Sequence, residues 1–262
     1  LSTLRWDTAL LADSGSDPNR KNVLALLLRL FERRALKFVP ALEFSAPIIE
    51  LENLLYTNDS KSADGILCIG SDGREFFTSG DSPVHFYNPL DSRVQDAVER
   101  IVSELAGQVA SSHAADGVAI AIGYDGWLHM PEVASALDDK TFGRFAADCS
   151  LASVGIGPER FAERAKLVEG PLRERWLQWR AKNLAEFSQR LAEKVSAARR
   201  DLRFFVTVTD LLSQGSFAER LKPSLSNDSS DDDLLLEAGI SPELITMSGR
   251  VVLVSPHVTC AS

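Results

Sequence analysis

Apolar and polar positions alternate along this chain between two periods, and the alternation itself suggests a layered fold. "DTALLAD" at 7–13 reads as a short apolar strand ending in Asp13, and "SGSDPNR" then supplies turn and helix-start residues. From Lys21 to Arg34, Val23, Leu24, Leu27, Leu28, Leu30 and Phe31 form one broad apolar face, with basic residues late in the segment. That is a helix whose last turn carries the favourable charge. "LKFVPALEFS" at 36–45 is a strand broken by Pro40, which removes a ladder donor and predicts a bulge or an edge position. Residues 46–90 keep no period; they are rich in Asp, Ser, Gly and Asn and read as a long irregular connection.

Periodicity then returns. Asp91 or Ser92 caps a helix with Val94, Val98, Ile101, Val102 and Leu105 on one face, and "GVAIAI" follows as a buried strand. Asp138 and Asp139 open another helix, and Pro158 a short one. The longest helix begins at Pro171 and places Trp176, Trp179, Leu184, Phe187, Leu191 and Val195 near one stripe. "DLRFFVTVTDLL" is a strand ending near Asp210, "LLSQGSFAERLK" resumes a helical pattern, "DLLLEAG" is a short helix that stops at Gly239, and "RVVLVSPH" is a last strand.

Strands alternating with helices predict an α/β fold with a parallel sheet. Five strand candidates suit either an open doubly wound sheet or a (β/α)8 TIM-barrel, whole or partial. No glycine-rich nucleotide turn follows any strand, which weighs against the open nucleotide-binding form. In a barrel the C-terminal strand ends build the site. Here those ends carry Asp13, Glu43, Asp125 and Asp210, with His257 after the last strand.

Composition narrows the chemistry. The formal net charge of -9 gives no general reason to expect nucleic acid as a partner. No run approaches the roughly 18 apolar residues of a membrane span. Three scattered cysteines, Cys68, Cys149 and Cys260, form neither a disulfide framework nor a zinc motif, and no cofactor or metal is expected. His85 and His113 read as surface or loop residues. The polar "DSSDDD" run at 228–233 lacks the order of a calcium loop. The start "LSTLRWDTALL" and the end "VVLVSPHVTCAS" read as those of a piece of a longer protein, a single barrel-type domain over 1–262 with flanking domains beside it.

Several stretches in order, "YNPLDSRVQDAVERIVSEL", "ADGVAIAI", "WLQWRAKNLAEFSQRLAEKV" and "RDLRFFVTVT", resemble the glycoside-hydrolase-like family 10 proteins, bacterial (β/α)8-barrel proteins related to glycosidases. "GYDGWLHMPE…ALDDKTFGRFAADC" is similar to large proteins of this kind in planctomycete-type bacteria. The resemblance spans roughly Leu36 to Thr209 and implies a barrel, a carbohydrate ligand, sites on the strand-to-helix loops and an extracytoplasmic setting. One departure stands out. The family strand runs Asp-Gly-hydrophobic to a terminal acid; Asp116 and Gly117 match, but Ala121 occupies the acid's place.

Glycosidases need two carboxyl groups flanking the scissile bond. Glu43, Asp125 and Asp210 form the pool for acid/base and nucleophile. Asp13, Tyr124, Trp127, His129 and Arg180 are the candidate substrate-binding residues: aromatic faces for a pyranose, and an arginine to pair with a strand-end acid. Each has a plainer role available, as turn, cap or core residue. Two functions therefore stay open: a glycoside hydrolase, or a barrel that has lost catalysis and serves as a carbohydrate-binding or assembly module. Ala121 favours the second, the acids at other strand ends the first.

Overall fold

A computed structural model describes residues 22–56, 63–79, 83–151, 155–208, 210–212, 215–220 and 230–255. Four strands, β1 (Ala41–Glu43), β2 (Gly117–Ala121), β3 (Arg203–Thr207) and β4 (Val251–Val254), form one parallel sheet in the order β1-β2-β3-β4. Each strand lies beside its successor in sequence, with no reversal of order. The α/β class with a parallel sheet is as expected. The described strands number four, and an eight-stranded closure is not present among the described residues. The strand expected at 7–13, with Asp13, lies outside them.

The β1 segment explains its own brevity. Pro40 cannot donate to a ladder, and it sits immediately before β1, the outermost strand among the described residues, where its carbonyl accepts from Ala119 N at 2.8 Å. Gly117 opens β2 because its neighbour leaves no room. A Cβ there would overlap the Arg203 carbonyl and press on the Phe205 ring. Asp116 in turn pairs with Arg203, whose guanidinium lies 5.0 Å from the Phe205 ring centre. The Asp-Gly motif therefore builds the N-terminal end of the sheet, far from the strand tips.

Between the strands run α1 (Val23–Arg33), α2 (Ile49–Leu55), α3 (Ser92–Val109), α4 (Asp139–Asp148), α5 (Arg160–Glu169), α6 (Arg173–Ala198), α7 (Gly215–Arg220), α8 (Asp231–Glu237) and α9 (Pro242–Thr246). Asp91 caps α3 by accepting from Arg93 N at 2.9 Å, and Asp138 caps α4 by accepting from Thr141 N at 2.8 Å. Both caps were legible from sequence; α2 and α9 were not.

One face of the sheet packs on the helices. Ile120 and Ile122 of the β2 run and Phe204 and Val206 of β3 meet Leu184, Phe187 and Leu191 of α6 and Ile245 of α9, leaving a void of about 30 Å³. Alternation places Ala41, Glu43, Ala119, Ala121, Phe205, Thr207, Val252 and Val254 on the other face, where Glu43 and Val254 are exposed. The Trp-x-x-Trp-Arg helix is a packing device. Trp176 and Trp179 stack at 5.5 Å and 11°, and Phe145 stands edge-on to both. Their indole N–H groups donate to the Val133 carbonyl at 2.9 Å and to Asp148 Oδ2 at 2.8 Å.

The stretch at 46–90 holds more order than its composition suggests. Besides α2 it contains a miniature three-segment ladder. Cys68 N donates to the Phe86 carbonyl (2.9 Å), Phe86 N to Phe76 (2.9 Å), and Phe76 N back to Cys68 (3.0 Å), closing a ring of hydrogen bonds. Such short, two-sided pieces carry neither a helical nor a strand period, so periodicity missed them.

Candidate functional site

At the C-terminal ends of the strands the register sets Glu43, Ala121, Thr207 and Val254 side by side. Ala121, where an acid was expected on β2, is thus the direct lateral neighbour of Glu43 on β1. Adjacent strands lie about 4.8 Å apart, so the carboxylate missing at Ala121 is present one strand over.

Immediately beyond, Ile122 N donates to the Thr207 carbonyl at 2.8 Å and the chain passes through Gly123. Gly123 is the centre of the candidate site. The point its Cβ would occupy lies 3.4 Å from Glu43 Oε1 and 3.9 Å from the Asp210 Cβ. Two residues 167 positions apart, one following β3 and one ending β1, therefore border a single space that the glycine leaves free of side chain. A side chain here would touch both residues.

The third acid of the pool behaves differently. Gly126 N donates to the Gly123 carbonyl at 3.1 Å, closing a turn with Tyr124 and Asp125 at its tip, and Asp125 is exposed. Tyr124 lies against Gly215, the first residue of α7, which holds φ +59; a Cβ there would overlap the phenol ring. Gly123 and Gly215 are thus the site features that residue-type reasoning passed over. A glycine one step past a buried strand was the available signal.

The aromatic platform expected from Tyr124, Trp127 and His129 is not a shared open surface. Trp127 is 0 % exposed; it packs edge-on to Phe44 and Tyr87 and donates to the Ala46 carbonyl at 3.1 Å. His129 is buried against the Phe86 ring, its Nδ1 has no hydrogen-bond partner among the described residues, and burial pushes its imidazole down to about 4. Trp127 and His129 turn inward, where they pin the loop after β2 to the ladder through Tyr87 and Phe86.

Arg180 is likewise interior. The expectation that it pairs with a strand-end acid is corrected. It donates to the carbonyls of Glu132 (2.9 Å) and Glu237 (2.8 Å) and reaches Ser135 Oγ at 3.3 Å. Burial pulls its guanidinium down to about 9. Glu237 itself is held by Arg173 and Arg220, each at 2.5 Å.

A second acidic grouping, Asp91 with Asp138, serves helix starts. Asn88 bridges Asp138 (3.2 Å) and Thr141 (2.8 Å), and Lys140 reaches Asp91 at 2.7 Å. Burial opposes ionisation of Asp91, yet Arg93 and Lys140 hold its carboxyl below the usual range. Burial raises Asp138 to about 6.

No family model matches this chain, and no curated protein does. Among solved structures it is similar to a cold-adapted β-galactosidase from Rahnella sp. R3, with 14% sequence identity, a TM-score of 0.48, and coverage of 74% of this chain and 29% of that one. The chain spans less than a third of that protein's length.

Proposed function

We propose that this chain is the strand-and-helix part of a glycosidase-like (β/α) barrel domain that hydrolyses a glycan, with Glu43 and Asp210 as its carboxyl pair. The observation that carries the reading is their convergence on Gly123 at the strand tips. Parallel strands in sequential order support the barrel architecture, with its site at the C-terminal rim. The resemblance of Asp116-Gly117, the tryptophan helix and β3 to the family 10 proteins agrees with it and suggests an extracytoplasmic setting with flanking domains. Hydrolysis asks one carboxyl to protonate the leaving oxygen while the other supports the developing positive charge or activates water. Asp125, exposed on the turn next to Gly123, is a subsite residue in this reading, with the Tyr124 ring as a wall.

Ala121 favours a second reading, a barrel that binds carbohydrate without cleaving it. A panel of aryl glycosides separates the two. Hydrolysis predicts turnover that falls by roughly 10²–10⁴-fold in both Glu43→Gln and Asp210→Asn, with circular dichroism and melting unchanged. Turnover indifferent to both changes removes the pair from the mechanism. Glycan binding without turnover on any substrate selects the second reading.

A further inference from the structure

We infer that the outer face of α1 docks on an anionic lipid surface, lying along it without crossing it. This surface uses none of the residues at Gly123. The helix VLALLLRLFER carries apolar residues on two sides, whereas packing on a core asks for one. Leu24 and Leu28 face inward and are buried. On the other side Val23, Leu26 and Leu30 follow one another at helical spacing and are 40%, 59% and 48% exposed. A single exposed leucine is ordinary, but a row of them on one face marks a contact surface.

Charge decides what this face meets. Arg33 and Arg34 continue the row into the last turn and the C-cap of α1. The chain then turns through Ala35, whose φ of 52 is left-handed, and Leu36 N donates back to the Phe31 carbonyl at 2.9 Å. That closing turn leaves Leu36 55% exposed next to the arginines in sequence, and Lys37 follows, donating to the His113 carbonyl at 2.9 Å. From Arg33 to Lys37 there are three cations and no acid, in a chain whose formal net charge is -9. Neither arginine has a carboxylate partner among the described residues. Glu32, the acid of α1, instead lines a groove between α1 and the end of α3 together with Arg29 and Ser112. One cation serves the C-terminal dipole of α1, and the others are surplus to it.

Leucines bordered by arginines are what an interfacial helix presents. The apolar side chains sink towards the acyl chains, while guanidinium groups on long apolar stems stay with the headgroup phosphates. A second copy of this chain could cover the leucines, but it would bring the same surplus of arginine, and α1 offers only Glu32 against it. An anionic bilayer satisfies the leucines and the arginines together. At 11 residues α1 is too short to span, and no helix among the described residues is long and apolar enough to cross a membrane. The attachment is therefore peripheral and reversible.

Co-sedimentation of the whole chain with vesicles tests this, using phosphatidylcholine alone and an equal mixture of phosphatidylcholine and phosphatidylglycerol. Binding to the anionic vesicles at low salt is expected, falling as salt is added, with little to the neutral ones. Arg33→Gln with Arg34→Gln should weaken it about fivefold per residue, and Leu26→Ser with Leu30→Ser by at least about tenfold. Arg74→Gln, at an exposed arginine elsewhere, should bind as the parent does. The four α1 side chains are exposed, so circular dichroism and melting should match the parent; should the leucine variant not fold, the arginine variant carries the test. No association with anionic vesicles overturns the proposal, as does equal association with neutral ones or binding indifferent to the arginine changes. A concentration-dependent dimer in sedimentation that the leucine changes abolish, without vesicle binding, assigns the face to a second copy and overturns it likewise.

Discussion

Two buried titrating groups pull the acid stability of this protein in opposite directions, and single substitutions should separate them. His129 has its imidazole lowered by burial from 6.5 to about 4. Between those values the unfolded chain binds the extra proton, so His129 makes stability fall as pH drops from 6.5 towards 4. At 1.36 kcal/mol per unit, the full window is worth about 3 kcal/mol. Asp138 has its carboxyl raised by burial from 3.8 to about 6. There the folded state holds the proton, so Asp138 makes stability fall as pH rises from 3.8 to 6, again by about 3 kcal/mol. In the native protein the two slopes largely cancel. Asp138→Asn keeps the α4 cap, since asparagine caps as well as aspartate, and removes the carboxyl. Relative to the parent, its stability should then climb by about 3 kcal/mol from pH 3.8 to 6. His129→Phe keeps the edge contact with Phe86 and, relative to the parent, should lose about 3 kcal/mol as pH rises from 4 to 6.5. Urea unfolding at half-unit steps of pH measures both. Other groups titrate equally in parent and variants and drop out of the difference. Variants that follow the parent's pH dependence would refute the assignment of these two side chains as buried and oppositely shifted.

Gly117→Ala should cost more than about 3 kcal/mol or prevent folding, because the added methyl overlaps the Arg203 carbonyl of the neighbouring strand; thermal melting reads it, and a melt within a few degrees of the parent would contradict the close approach. Arg180→Met should destabilise by about 1–3 kcal/mol by leaving the buried Glu237 carbonyl without its Arg180 donor, while the Glu132 carbonyl keeps Ser135 Oγ, seen as a lower urea midpoint, whereas an unchanged midpoint would mean the buried guanidinium contributes nothing net.

Much of this architecture is written in periodicity. The α3 and α6 faces, the β2 and β3 runs and the caps at Asp91 and Asp138 follow from local pattern, because each element buries one face and exposes its ends. The ladder around Cys68 and the short helix α2 do not, since their residues are set by contacts far along the chain: Tyr87 with Trp127, and Glu52 with His85. The same division holds at the strand tips. Acids at Glu43 and Asp210 were visible as strand-end residues, but their meeting at Gly123 depends on register between β1, β2 and β3. Trp127, His129 and Arg180 carry the residue types of a sugar site, yet burial decides their role, and no local pattern reports burial of a polar side chain in a loop.

The claim on which the functional reading stands is that the tips of β1 and β3 deliver Glu43 and Asp210 to one space. Cysteine coupling measures this directly. Glu43→Cys with Asp210→Cys, in a background where Cys149 and Cys260 are serine, should join intramolecularly through a short bis-maleimide, as read by intact mass and peptide mapping. Glu43→Cys with Asp201→Cys, which lies before the start of β3 at the other end of the sheet, should not. Equal coupling of both pairs, or none of the first, would contradict the convergence.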